Sequence, residues 1–299
     1  MITIHRDTVV YAMSAENAPV ARAASGDMLR FETLDCFGGQ LKSEADKLVS
    51  LDWNRVNPAT GPVFVEGAQP GDVLKVEILT IELDDHGVMV DAPGEGVTGR
   101  AVQEETTRIL PVENGRVRFN DKLAFPLRPM IGVIGTAPAE YDISTGTPGK
   151  HGGNMDCTQI AQGATLYLPV EVEGALLAMG DLHAAMGDGE VAVCGVEIAG
   201  AVTVRVTVLK DCALPTPFLI DGEKCMTICS AVSVDGACVS ATMAMHRFLT
   251  REAGLTDHDA GMVMSIAGNL RICQVVDPER TVRMELPLSV PEAYGYRFA

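Results

Sequence analysis

Residues 201–210 read AVTVRVTVLK. Side chains of an extended chain alternate between two faces, so Val202, Val204, Val206 and Val208 share one face and Thr203, Arg205 and Thr207 the other. A helix of 3.6 residues per turn would scatter those valines around its circumference. The segment therefore reads as a strand with one face on a core. Reading outward, residues 72–83 (DVLKVEILTIEL) form a second apolar run. Shorter ones lie at 131–134, 165–169, 176–179 and 191–198, and another spans 282–290, where Pro287 marks an edge or a stop. Gly26-Asp27, Pro70-Gly71-Asp72 and Asn114-Gly115 punctuate them as turns. Helical periodicity comes late. Residues 237–252 carry Val239, Met243, Phe248 and Leu249 and stop before Gly254. Thr256 with Asp259 then opens a second helix ending near Gly268. The reading is a mainly β chain with two late helices, without the strand–helix alternation of a doubly wound sheet. The longest irregular stretch is 136–156, and a loop of that length in a compact protein tends to be functional or mobile.

The 299 residues include 23 Lys and Arg against 40 Asp and Glu, a formal net charge of −17. Such an acidic surface repels phosphate backbones and anionic bilayers, so neither nucleic acid nor membrane is expected as a partner. No apolar run approaches the ~20 residues of a membrane span, and the first residues lack the basic-then-apolar pattern of a secretory leader. The eight cysteines are scattered with no CxxC pair, as expected of reduced thiols in a cytoplasmic protein. GxGxxG, GxxxxGK[ST] and GxSxG are all missing, so a nucleotide cofactor or a serine-hydrolase elbow has no support.

Two glycine-flanked segments concentrate ligand-type side chains: His151-Gly-Gly-Asn154-Met-Asp156 and Gly180-Asp181-Leu-His183, continuing through Gly187-Asp188-Gly189-Glu190 to Glu197. If residues 180–183 are extended, Asp181 and His183 face the same way. Gly187-Asp188-Gly189 is turn chemistry that brings Glu190 back toward His183. Glu190 and Glu197 are seven apart and would face opposite sides unless Gly195 hosts a bulge. Histidine with several carboxylates suits a divalent cation: zinc where nitrogen and oxygen mix, calcium where oxygens dominate. A metal-free alternative uses a carboxylate, or the Cys157 thiol beside Asp156. A noncatalytic protein binding an ion or small ligand is a third reading.

The combined motifs resemble the acetamidase/formamidase family of amide hydrolases. They are Asn57-Pro-Ala-Thr-Gly-Pro-Val-Phe-Val-Glu-Gly-Ala68 with Pro70-Gly-Asp72, Ile134-Gly-Thr-Ala-Pro138, the two glycine-flanked segments, and Ser265-Ile-Ala-Gly-Asn-Leu-Arg271. The resemblance implies one catalytic unit over 1–299: a β-sandwich with a smaller α+β part around 215–270. It implies hydrolysis of formamide- or acetamide-type substrates to ammonia and a carboxylate, and a homo-oligomer, at least a dimer. It also implies a divalent metal, zinc first and calcium second, with Asp156, His183 and Glu197 as ligands and Asp35 and His151 nearby. Glu190 is expected as general base. Asn154 and the Gly152 and Gly153 amides are expected near the oxyanion, His151 among the catalytic groups, and Met186 and Asp188 at the substrate. Met186 stands where the family usually has glutamine, and Asn269 where aspartate is usual. If that glutamine contacts substrate, Met186 makes the pocket more apolar, and either a larger or less polar amide is preferred or activity is lost.

Overall fold

A computed structural model describes residues 1–298, and the counts that follow refer to them. The decisive segment is the strand Gly200–Leu209, with Val202, Val204 and Val206 fully buried and Thr203, Arg205 and Thr207 half-exposed. It pairs antiparallel with Met28–Thr33 on one side and Val73–Leu83 on the other. These strands sit inside a nine-stranded sheet. The order runs Ile2–Ile4, Met28–Thr33, Gly200–Leu209, Val73–Leu83, Thr165–Pro169, Phe218–Asp221, Lys224–Ala231, Arg280–Pro287, Asn269–Gln274. A second, eleven-stranded sheet contains His86–Asp91, Glu197–Ile198, Leu177–His183, Met130–Gly135 and Gly152–Asn154 as successive neighbours. Ala59–Val65 also pairs with Leu177–His183. The inner faces share one core: Phe31, Leu74, Val76 and Val204 from the first sheet meet Ile131, Ile134, Met179 and Leu182 from the second. Each fully buried valine or leucine there contributes roughly 1.5–3 kcal/mol, which is what holds the two sheets face to face. The architecture is the expected mainly β sandwich.

The nine-stranded sheet extends beyond the sandwich into the α+β part. Helix α1 (Val234–Arg251) lays Ala237, Ala241, Met245, Phe248 and Leu249 on Phe218, Val282, Met284 and Leu286. Ser233 caps its start by accepting from the Gly236 amide, and Gly254 follows its end at φ +81°, a backbone that glycine adopts freely. Helix α2 (Asp257–Ala267) starts at Thr256, whose hydroxyl accepts from the Asp259 amide and donates to the Asp259 carboxylate. A short helix α3 (Ser289–Ala293) follows the strand that ends at Pro287, and no periodicity announced it. None of these helices is long and apolar enough to cross a membrane.

Two expectations need correcting. Residues 191–198 are irregular apart from Glu197–Ile198, because the chain there wraps around buried carboxylates instead of extending. Residues 136–156 are also not one loop. Ile143–Ser144 pairs with Ala12–Met13, and Gly152–Asn154 adds to the second sheet beside Met130–Gly135.

Candidate active site

The site lies where strands of the second sheet end. Asp181 and His183 come from Leu177–His183, and the register sets Glu197 opposite His183 on the neighbouring strand. Asp156 follows directly on the strand Gly152–Asn154. Gly132 makes the meeting possible: a Cβ there would stand 2.5 Å from both Asp156 Oδ1 and Asp181 Oδ2. Its carbonyl also accepts from the Met155 amide, at 3.1 Å. Gly195 does the same for the imidazole, since a Cβ there would lie 2.6 Å from His183 Nδ1.

Glu190 arrives on a stapled loop. Asp188 accepts two hydrogen bonds from Arg283, at 2.9 and 2.7 Å, and one from the Thr158 hydroxyl at 2.7 Å. The Gly189 amide donates to the Cys273 carbonyl, and the Val275 amide to the Gly189 carbonyl. Arg283 is buried and also holds Glu285, at 2.8 Å. The loop is thus fixed to the first sheet, and Glu190 projects back over the second.

Asp156, Asp181, His183, Glu190, Glu197 and Asp277 line one cavity of about 150 Å³. His183 Nε2 lies 3.1 Å from Glu197, 3.4 Å from Asp181 and 3.7 Å from Asp156. Asp277 accepts from the Asn154 side-chain amide at 3.1 Å. One carboxylate oxygen on each of Asp156, Asp181, Glu190 and Glu197 is buried with no hydrogen-bond partner. Burial pushes the Asp156 and Glu190 carboxyls well above the usual range, reinforced by Asp277 at the first and by Asp156 at the second. Glu197 is pushed up to about 7 by burial, against the pull of His183. For His183 burial works against the proton, but Glu197 and Asp181 hold it so strongly that its pKa rises well above 6.5. Asp181 moves the other way: His183 overcomes its burial and keeps it ionised.

So many carboxylates around one imidazole are costly to bury without added positive charge. The donors fit a divalent cation. Ligands each ~2.1 Å from one ion stand about 3–3.5 Å apart, close to the separations around His183 Nε2. Ligand atoms of Asp156, His183 and Glu190 lie within 4.8 Å of one another, as do those of Cys36, Asp181 and Glu197.

The Acetamidase/Formamidase family profile matches residues 14–144 and 139–292. The chain belongs to the acetamidase/formamidase family. A crystal structure of an acetamidase from Bacillus halodurans is 49% identical, with TM-score 0.98 over 99% of this chain and 100% of that one. A predicted acetamidase/formamidase from the thermophile Thermoanaerobacter tengcongensis is 50% identical, with TM-score 0.97 over 99% of each chain. The formamidase of Methylophilus methylotrophus is 29% identical over 251 residues, 64% of this chain and 62% of that protein. Against the curated relatives it matches, the chain spans between 62% and 68% of their length.

Within this family frame the structure brings Asp156, His183, Glu190, Glu197 and Asn154 to one cavity. It does not bring Asp35, His151, Gly152, Gly153 or Asp188 there. Asp35 accepts from the Gly39 amide and lines a different hollow beside His86, while its neighbour Cys36 reaches the cavity instead. His151 lines a separate cleft with residues 138–150: it precedes the strand Gly152–Asn154, and the left-handed Gly152 and Gly153 (φ 96° and 79°) re-aim the chain between it and Asn154. The Gly152 amide is spent on the Gly149 carbonyl, and Gly152 and Gly153 leave no room for side chains against residues 134–135 and 147. Asp188 is occupied by Arg283. Met186 rests its sulfur 3.2 Å from His183 Nδ1, on the side away from the carboxylates. Asn269 begins an exposed edge strand. Cys157 is fully buried, hydrogen-bonds to Cys273 and does not line the cavity, so its own thiol is not at the site, where the sulfurs are those of Cys36 and Cys194.

Sequence reasoning passed over Asp277 and Cys36, and set Asp181 beside His183 without giving it a role. Asp277-Pro278 reads as an ordinary turn more than 120 residues from Asn154, and only the tertiary fold joins them. The chance of Glu190 and Glu197 facing apart does not arise, because residues 191–195 are not extended.

Proposed function

We propose that this protein hydrolyses short linear amides to ammonia and the carboxylate. The observation that carries the reading is the group of four carboxylate oxygens without a hydrogen-bond partner around His183 in a 150 Å³ cavity, a space suited to a small amide. The resemblance to an acetamidase and a formamidase supports the same substrate class. We propose Asp156, Asp181, His183 and Glu197 as the holders of a divalent cation, zinc first and calcium second. Bound there, such an ion supplies Lewis-acid polarisation of the carbonyl and acidification of a water.

The chain's own residues do the rest. Glu190 presents a carboxylate oxygen without a hydrogen-bond partner, and burial raises its proton affinity well above the usual carboxylate range. That suits a group that takes a proton from the attacking water and returns it to the departing amine. The Asn154 side chain is fixed by Asp277 and presents its free oxygen to the cavity, where it can accept from the substrate NH2 group. Cys36 and Trp53 line the remaining wall and limit the water that can enter. Eight free thiols support the reducing, cytoplasmic setting we propose, and the proposed homo-oligomer rests on the family resemblance alone.

The test is ammonia release from formamide, acetamide and propionamide by enzyme as purified, after chelation, and after zinc or calcium is restored. Turnover lost to chelation and regained with one ion supports the assignment. Turnover indifferent to chelation removes the metal, and silence at every metal loading removes the amidase reading. Glu190→Gln is expected to lower kcat at least 100-fold while retaining the metal.

A further inference from the structure

A second cavity, about 520 Å³ and mostly apolar, lies against the back of the candidate site. Met89, Leu110, Val117, Phe119 and Phe125 form its far wall, beneath the hairpin Thr106–Glu113 and Arg116–Arg118. Its near wall is Met186, Glu190, Cys194 and Gly195. Glu190 and Cys194 also line the carboxylate cavity, so the two spaces share a partition one residue thick. The His183 ring stands in that partition: Met186 Sδ is 3.2 Å from its Nδ1, and Gly195 packs on the same edge. The Nε2 edge faces the carboxylates.

Size separates the roles of the two spaces. A 150 Å³ apolar cavity is enough for benzene, six heavy atoms, so the carboxylate cavity has room for a small amide but not for a long or aromatic acyl chain as well. The second cavity falls in the ~300–1,000 Å³ range of ligand pockets. Methionine is unbranched, with three rotatable bonds, so Met186 is the part of the partition that can swing aside at low cost. Nothing in the chemistry of the carboxylate cavity needs an apolar room beside it, yet Phe119 and Phe125 are set edge to face there, with Arg108 over the Phe119 ring.

We propose that the second cavity is an acyl pocket: the amide carbonyl sits at the carboxylates and an extended or aromatic acyl chain passes Met186 into the apolar room. The substrate class becomes medium-chain or arylalkyl primary amides such as hexanamide and phenylacetamide, with formamide and acetamide as minimal substrates. This rests on the amidase reading above. It goes beyond that reading by naming what the acyl group is and where it lies.

The experiment measures kcat/KM by ammonia release for acetamide, butyramide, hexanamide and phenylacetamide. Each methylene moved from water into the pocket should raise kcat/KM roughly fourfold. Two variants narrow the room from opposite sides: Ala192→Phe from the half-buried near wall and Leu123→Trp from the exposed rim. Each is expected to lower the hexanamide-to-acetamide ratio of kcat/KM at least tenfold, and Met186→Gln to lower it as well. A series flat or falling beyond acetamide overturns the acyl pocket and leaves the amidase reading standing. An unchanged ratio in both narrowing variants overturns it too, and a shift in oligomeric state in those variants would mark the face as a subunit contact instead. Silence across the whole panel overturns the amidase reading, and the acyl pocket with it.

Discussion

His151 offers a quantitative test of how the glycine-rich strand is packed. The side chain is 1% exposed, and neither ring nitrogen has a hydrogen-bond partner. Its ring is pressed among Gly135, Gly149 and Gly153, where Cβ atoms would come within 2.7–3.3 Å of it. Burial lowers its pKa from 6.5 to about 4. Below pH 6.5 the unfolded chain therefore takes up a proton that the folded chain refuses, and stability falls as pH drops toward 4. Between pH 7 and pH 5 the loss from this one group is about 2 kcal/mol, since the two pKa values lie far apart and each pH unit between them is worth about 1.4 kcal/mol. The assay is urea unfolding of the wild type and of His151→Leu at both pH values. Leucine has similar bulk and no proton. Any packing defect it introduces is independent of pH and cancels when each protein is compared with itself, as do the carboxylates common to both. The wild type should lose about 2 kcal/mol more than the variant on acidification. Equal losses in the two proteins would refute a neutral, solvent-excluded imidazole, and with it the strand packing described here.

Substitutions at two further positions probe the frame of the site. Gly132→Ala drives a methyl group into the Asp156 and Asp181 carboxylates. It should lower both metal retention, read by elemental analysis, and kcat by 100-fold or more, with a Tm change of only a few degrees; normal metal content would show that the carboxylates are not held there. Arg283→Met takes from the buried Glu285 one of its two cationic partners, leaving Lys224, and frees Asp188, which is about one-third exposed. The expected cost is about 2 kcal/mol by chemical denaturation, below the ~3–5 kcal/mol of an uncompensated buried charge because Lys224 still faces Glu285. Arg283→Lys should recover little of it, because one ammonium cannot replace a fork that reaches both carboxylates.

What the sequence disclosed divides along a physical line. The alternating valines of 201–210, the Thr256–Asp259 cap and Gly254 depend on neighbours within a few residues, and each appears in the structure as read. Asp181 and His183 do meet, as the period of two predicts, although Asp181 itself is left-handed (φ 55°), and the Gly187–Gly189 turn carries Glu190 back to His183. Asp277, Cys36 and Asn57 reach the same cavity from turns far along the chain, and no local pattern marks such arrivals. Asp35 shows the converse. Its motif fits, but the turn it enters gives its carboxylate to the Gly39 amide and sends Cys36 inward, a choice made by one residue of rotation.

The backbone explains why spacing failed at the centre of the site. Asn57, Asp156, Asp181, Glu190 and Val193 all have positive φ, from 43° to 80°, and all line the carboxylate cavity. They are five of the nine non-glycine residues in that conformation. Asparagine and aspartate tolerate it; glutamate and valine do so at a cost of order 1–3 kcal/mol each. Face-counting assumes extended geometry, and each left-handed residue re-aims the side chains that follow it. That is why Glu190 and Glu197, seven apart, converge on one cavity. Such conformations persist only where the surroundings over-determine them, and the Asp188–Arg283 clamp and the Gly189 amide contact do so for Glu190. Strain and buried like charge therefore fall on the same few residues. Both are opposed by the core of the sandwich, and a bound cation would relieve only the charge. Metal binding should therefore stabilise the folded chain by RT ln(1 + [metal]/Kd), while the left-handed backbone at Glu190 stays as it is here.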